Sequence, residues 1–276
     1  MDGWFLITGA TGGLGKAFCA ACAQRGCRLF LTDRSGESLE ALARGLKNAY
    51  GIQVRTFACD LAAESGRDAL AAAVADASVP LAGLINVAGI DVEGEFTSLS
   101  LQNIRAIMQL NMVSVAENIH RMLRFHEEGE HFMIINVASL AAFQPMLYKA
   151  LYAATKRFLV QLSLGIREEL HPLGISVTVL CPCGMPTTPE CIAAIEAQGI
   201  VGRLTTMNPG DVVEYALERA LRGKAIAVPG GINRFVRFAA ILLPQTWTAR
   251  LVHWQWSRAL MRRCGTLRPQ EHGGAA

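Results

Sequence analysis

The chain has 276 residues, and with 51% of them hydrophobic and 18% charged it suits one sizeable buried core rather than an exposed or disordered chain. The formal net charge of +3 is too small and too dispersed to point to a nucleic-acid partner. The sequence enters an apolar strand at Trp4 without a basic leader, and no apolar run approaches the roughly 20 residues of a spanning helix, so a cytoplasmic protein is expected.

In chain order, apolar strand-like runs at 4–8, 28–32, 54–59, 81–87, 131–137, 175–180 and 225–228 alternate with helix-length segments such as 14–25, 38–50, 101–126 and 152–169. This repeated βα pattern with right-handed crossovers predicts a doubly wound, seven-stranded parallel sheet with helices on both faces. One domain is expected over 1–230, followed after Gly230-Gly231 by a compositionally distinct tail, 231–276. The eight cysteines follow no disulfide framework and are read as small core residues. Cys19 and Cys22 are spaced C-x-x-C, but no second cysteine or histidine pair completes a metal shell, so no metal is expected.

Strand one runs into Thr8-Gly9-Ala10-Thr11-Gly12-Gly13-Leu14-Gly15, a glycine-rich turn directly before a helix. Glycines let the backbone approach a pyrophosphate, and the free N–H groups and dipole of the following helix favour its charge. Strand two ends in Asp33-Arg34. Asp33 could accept from the adenosine ribose hydroxyls and repel a 2'-phosphate, whereas Arg34 could pair with that phosphate. Asp60-Leu61 ends strand three, Asn86-Val87-Ala88-Gly89 follows strand four, Asn111 lies within the helix 101–126, and Ser139 closes strand five. Tyr152 and Lys156, four apart on a helix, place a phenol and an ammonium on one face.

The spacing T-G-x-x-x-G-x-G together with Asn111, Ser139, Tyr152 and Lys156 resembles the classical short-chain dehydrogenase/reductase family, nearest to its hydroxysteroid and ketoacyl reductase branch. The resemblance implies a Rossmann-type fold and an oxidoreductase interconverting a carbonyl and a secondary alcohol with NAD(H), or alternatively NADP(H). It implies cofactor contacts from Thr8, Gly9, Thr11, Gly13, Leu14, Gly15, Asp33, Arg34, Asp60, Leu61, Asn86, Ala88, Gly89, Tyr152, Lys156, Pro182 and Thr187. Val87 replaces the second asparagine of the family's N-N-A-G turn, and Cys183 displaces the glycine of its Pro-Gly turn, which leaves Thr188 as a rival to Thr187.

A hydride reaching a carbonyl carbon leaves charge on oxygen, which an acid must protonate, and the resemblance makes Tyr152 that acid. Lys156 and an oxidised nicotinamide would favour its phenolate for the reverse reaction, Ser139 would orient the substrate oxygen, and Asn111 would help to hold a relay water. The alternatives are a non-catalytic nucleotide-binding scaffold or sensor, and an epimerase or dehydratase with tightly held cofactor. Phe143, Pro145, Met146, Leu147 and Tyr148, near the mouth of the site, suit a hydrophobic substrate, steroid- or acyl-like, as well as they suit ordinary packing. Residues 185–210 are expected to form the substrate lid.

Residues 231–276 carry seven arginines against one acid, Glu271, a tail charge of +6 that leaves −3 for the rest. Trp247, Leu251 and Trp254 share one face of a predicted helix after Pro244, and with Phe235 to Leu243 they make a basic amphipathic tail. Such a tail could touch a membrane peripherally, cover the substrate site or join subunits, and the family resemblance implies a homodimer or homotetramer.

Overall fold

The computed structural model describes residues 3–250 and 252, apart from 128 and 198. Leu251, Trp254, Cys264 and the last four arginines of the tail lie outside these residues. Seven strands, β1 (Trp4–Thr8), β2 (Arg28–Asp33), β3 (Val54–Ala58), β4 (Leu81–Asn86), β5 (Phe132–Val137), β6 (Ile175–Leu180) and β7 (Ile226–Ala227), form one parallel sheet in the order β3-β2-β1-β4-β5-β6-β7. The direction of winding reverses between β1 and β4, which opens a crevice at their carboxyl ends.

Both faces of the sheet are covered over its central strands, which are therefore largely apolar rather than alternating, whereas the edge strand β3 exposes Arg55. The two-residue period splits them between two cores. Phe5, Ile7, Leu29, Leu31 and Ile85 meet α1 (Gly13–Gln24), α2 (Gly36–Tyr50) and α9 (Pro209–Leu221). Trp4, Leu6, Phe30, Leu84 and Ile134 meet α3 (Glu64–Asp76), α5 (Ser114–Met122) and α6 (Ala150–Leu170) on the other side.

The helix predicted over 101–126 is segmented. It begins as α4 (Leu101–Met108), loosens into a π-helical turn at Gln109–Val113, resumes as α5 and ends in a 3-10 turn at Leu123–Phe125. Asn111 sits in that π turn, fully buried, with its amide bonded to Ile90 in the loop after β4. A tertiary contact of this kind leaves no trace in a 3.6-residue hydrophobic pattern. The lid region folds as α7 (Pro189–Ala197) and α8 (Ile200–Thr205), and the tail opens with α10 (Gly231–Leu242). Residues 245–250 are also helical, starting directly after Pro244.

Candidate active site

A cavity of about 870 Å³ opens at the carboxyl edge of the sheet over the β1/β4 reversal. At one end lies the glycine-rich loop, with Gly9, Thr11, Gly13, Leu14 and Gly15 in the wall. The first turn of α1 has no side-chain cap and no acidic residue, in contrast to α2, which is capped by Ser35 and carries Glu37. An uncapped, acid-free helix start facing a cavity supplies unpaired N–H groups and the positive end of the dipole, which fits a pyrophosphate.

Asp33 and Arg34 line the same end. Oδ2 of Asp33 accepts from the backbone N–H of Thr11 at 2.9 Å and from its hydroxyl at 2.6 Å, while Oδ1 accepts from the Arg34 N–H at 2.8 Å. The Arg34 guanidinium is exposed and makes no ion pair among the described residues. Asp60, Leu61, Ala88 and Gly89 complete this part of the wall. Asp60 stands two residues beyond the end of β3, and its Oδ1 accepts from the Ala62 N–H at 2.9 Å.

Two residues expected to contact the cofactor stand behind the wall instead. The buried Thr8 hydroxyl accepts from the N–H groups of Val87 at 3.1 Å and Ala88 at 3.2 Å, tying β1 to the loop after β4. Asn86 turns its amide into the sheet, donating to Oδ1 of Asn136 at 2.9 Å. The strand pleat points these side chains away from the crevice, so they position the loop without lining it. Val87 takes part in this tie through its backbone N–H alone.

Ser139, Tyr152 and Lys156 meet in the middle of the cavity. Ser139 follows β5 by two residues, where its hydroxyl caps a 3-10 turn by accepting from the Ala141 N–H at 3.1 Å. Burial pushes Tyr152 up to about 12, opposed by the nearby Ser139 hydroxyl and assisted by the negative charge of Asp91. Lys156 is 5% exposed and donates to the Val137 carbonyl at 2.9 Å, with its Nζ 5.7 Å from the Tyr152 ring centre. Burial brings its ammonium down to about 8, partly offset by Asp91 and Cys181. In the protein by itself, therefore, burial outweighs any pull of Lys156 towards phenolate.

Asn111 also lies just behind this wall. Its Oδ1 accepts from the Ile90 N–H at 2.9 Å, and its Nδ2 donates to the Ile90 carbonyl at 2.9 Å and to the Thr155 hydroxyl at 3.1 Å. Gly89 is wedged between the two interior polar groups: a Cβ there would lie 3.1 Å from Asn111 Oδ1 and 3.4 Å from Lys156 Nζ. Asn111 and Lys156 thus meet at Gly89, Lys156 facing the cavity with Ser139 and Tyr152 while Asn111 braces the loop beside it.

The lid and the tail close the far side. Pro182 and Thr187 line the cavity, and a Cβ on Gly13 would fall 2.7 Å from Thr187 Cγ2. Thr188 instead caps the following helix, its hydroxyl accepting from the Cys191 N–H at 3.2 Å. Of the predicted apolar wall, Met146 lines the cavity, whereas Phe143 is buried under the Arg237 guanidinium, 5.1 Å from its ring centre. Phe235, Val236, Ala239, Leu243 and Val252 form the apolar side opposite Tyr152.

Some wall residues carried no motif. Asp91 pairs with Lys149, which also reaches Glu93 at 3.3 Å, and both members of that pair line the cavity beside Tyr152. The chain turns at Tyr148, held at φ 59°, whose carbonyl accepts from the Gly94 N–H at 2.9 Å and so lies against the loop after β4. Cys59, Cys183 and Cys191 also reach the wall, so only part of the cysteine set belongs to the core, where Cys19, Cys22, Cys27 and Cys181 are buried. Among the described residues no group of three or more His, Cys, Asp or Glu could hold a metal, and no helix is long and apolar enough to cross a membrane.

Comparison with known proteins gives the same picture. The family model described as short chain dehydrogenase matches residues 4–193. The 7beta-hydroxysteroid dehydrogenase of Mediterraneibacter gnavus is 25% identical over 230 residues, which is 83% of this chain and 86% of that protein. The bulky-bulky ketone specific alcohol dehydrogenase from Comamonas testosteroni superposes with a TM-score of 0.71 at 25% identity, over 99% of this chain and 97% of that one. A short-chain dehydrogenase from Sphingobium yanoikuyae in complex with NADPH superposes with a TM-score of 0.72 at 25% identity, over 99% and 98%.

Proposed function

Because the chain belongs to the short-chain dehydrogenase family, and so is an NAD(P)-dependent oxidoreductase acting on CH–OH groups, we propose that it reduces a bulky, hydrophobic ketone with Tyr152 as the proton donor. One observation carries this reading: Ser139, Tyr152 and Lys156 share one cavity with the anion-binding start of α1 and with an apolar wall from α10.

The bound nicotinamide supplies the hydride. Ser139 and Tyr152 hold the substrate oxygen between two hydroxyls, so that the carbonyl is polarised and oriented before reaction. With its phenol pushed up to about 12, Tyr152 keeps its proton at neutral pH and can hand it to the developing alkoxide. Lys156, near 8, stays largely charged beneath it and stabilises the phenolate left behind. The Leu243 and Val252 side of the cavity excludes water and favours an apolar substrate body, which suits the steroid and bulky ketone in the names of two relatives.

For the cofactor, the carboxylate of Asp33 has three of its roughly four acceptor positions filled, leaving one for a ribose hydroxyl, which supports NAD(H) as the first reading. The unpaired Arg34 on the same wall supports NADP(H) as the second.

The test is absorbance at the reduced-nicotinamide band with NADH and NADPH separately, against a panel of bulky ketones that includes steroids and 3-oxoacyl thioesters. Turnover is expected to fall by about 10²–10⁴-fold in Tyr152→Phe, with cofactor binding retained. Undiminished turnover in that variant overturns the role of Tyr152, and cofactor binding without turnover on the whole panel would favour the sensor.

A further inference from the structure

The helix α10 carries a broad apolar stripe that is only partly covered. Val236 and Ala240 face inward, yet Phe235, Phe238 and Leu242, spaced by three and four residues, are 70, 59 and 65% exposed on the outward side. Leu243 and Trp247, the latter 64% exposed, continue this surface past Pro244, and Leu204 of the adjoining α8 extends it into the lid. Contiguous large apolar side chains on this scale mark an interaction surface.

The position of the surface narrows its use. Phe235 and Leu243 belong both to the exposed face and to the wall of the Tyr152 cavity, so the apolar patch runs without a break into the mouth of the site. Charge narrows it further. Within 231–252 Arg234 and Arg250 are exposed and there is no acid, Arg237 being turned inward over Phe143, and 253–276 add four arginines against one glutamate. Two copies of so basic a face would repel one another, whereas an anionic lipid surface offers both an apolar layer for the phenylalanines and negative headgroups for the arginines.

We infer that the outward face of α10, with the lid edge beside it, seats on an anionic phospholipid surface and lets an apolar substrate pass from the lipid into the cavity between Phe235 and Leu243. The substrate route rests on the reading of the cavity as a site for hydrophobic ketones; the seating itself does not. An apolar molecule entering this way never has to cross bulk water, and the same contact would hold the cavity mouth at the lipid boundary.

The experiment uses the full chain and the double variant Phe238→Glu/Leu242→Glu. Both residues are exposed and neither lines the cavity, so turnover of a small water-miscible ketone should not change. Sedimentation with vesicles is read for phosphatidylcholine alone and for phosphatidylcholine with phosphatidylserine. Wild type is expected to bind the mixed vesicles, more weakly as salt is raised, and the variant to lose about tenfold or more in affinity. KM for a ketone dissolved in those vesicles should rise in the variant alone.

Failure of wild type to bind mixed vesicles overturns the inference, and a dimer of wild type that dissociates in the variant would assign the face to a second copy. Equal binding by both proteins overturns it as well. Vesicle binding that is lost in the variant, in a protein inactive on every ketone, would retain the seating and reject the proposed reaction instead.

Discussion

Thr11 donates both its backbone N–H and its hydroxyl to one carboxylate oxygen of Asp33, at 2.9 and 2.6 Å. The carboxylate proposed to read the adenosine ribose therefore also braces the glycine-rich loop. Removing Asp33 does two things at once, whereas removing Arg34 does one.

Asp33→Ala is expected to weaken both NADH and NADPH, because the loop loses its brace, and Thr11→Val should reproduce the part common to the two. Arg34→Ala should leave NADH nearly unchanged and weaken NADPH by about tenfold, the loss of one charge-assisted pair at an exposed site. Fluorescence titration of each dinucleotide measures these effects. An Arg34→Ala variant that loses NADH and NADPH equally would remove Arg34 from phosphate recognition.

Lys156 gives a pH-dependent stability with a defined sign. Its folded-state pKa is about 8 against an ordinary 10.5, so the folded chain binds fewer protons than the unfolded one between those values. Burying the ammonium is a full penalty below pH 8 and is relieved as pH rises towards 10.5. Lys156→Met, which removes the penalty but also the bond to Val137, should be more stable than wild type at pH 7 by about 2 kcal/mol. The gap should close by pH 10.5. Urea denaturation of both proteins across that range checks it, and a pH-independent gap would refute the burial argument.

Gly13 faces Thr187 across the cavity with no room for a side chain, since an added Cβ would meet the threonine at 2.7 Å. Gly13→Ala should push the segment between β6 and α7 away from the phosphate loop and raise the dissociation constant for either dinucleotide by about tenfold or more. Gly12→Ala, where the nearest atom to a new Cβ is 3.4 Å away, is the control and should cost little. Similar losses in the two variants would show that the Thr187 contact is not what confines Gly13.

What could be read in the chain alone follows from local, periodic or contiguous signals. Seven apolar runs spaced by helix-length segments specify a parallel sheet, because only strands buried on both faces lack alternation. The glycine loop is legible since it sits next to the strand and helix that use it, and Tyr152 and Lys156 because four residues is one helical turn.

Other features depend on which distant segments meet, and no spacing encodes that. Asn111, bonded to Ile90, sits in a π turn within the predicted helix, and Thr8 and Asn86 stand behind the cavity although their motif neighbours face it. Asp91 and Lys149, 58 residues apart, become a pair only when the loop after β4 folds against the start of α6. The tail is the clearest division. Its sequence established a basic and apolar segment, and only tertiary packing decided that Val236 and Ala240 wall the Tyr152 cavity while Phe238 and Leu242 face outward, since an apolar stripe this broad does not by itself define which part is covered.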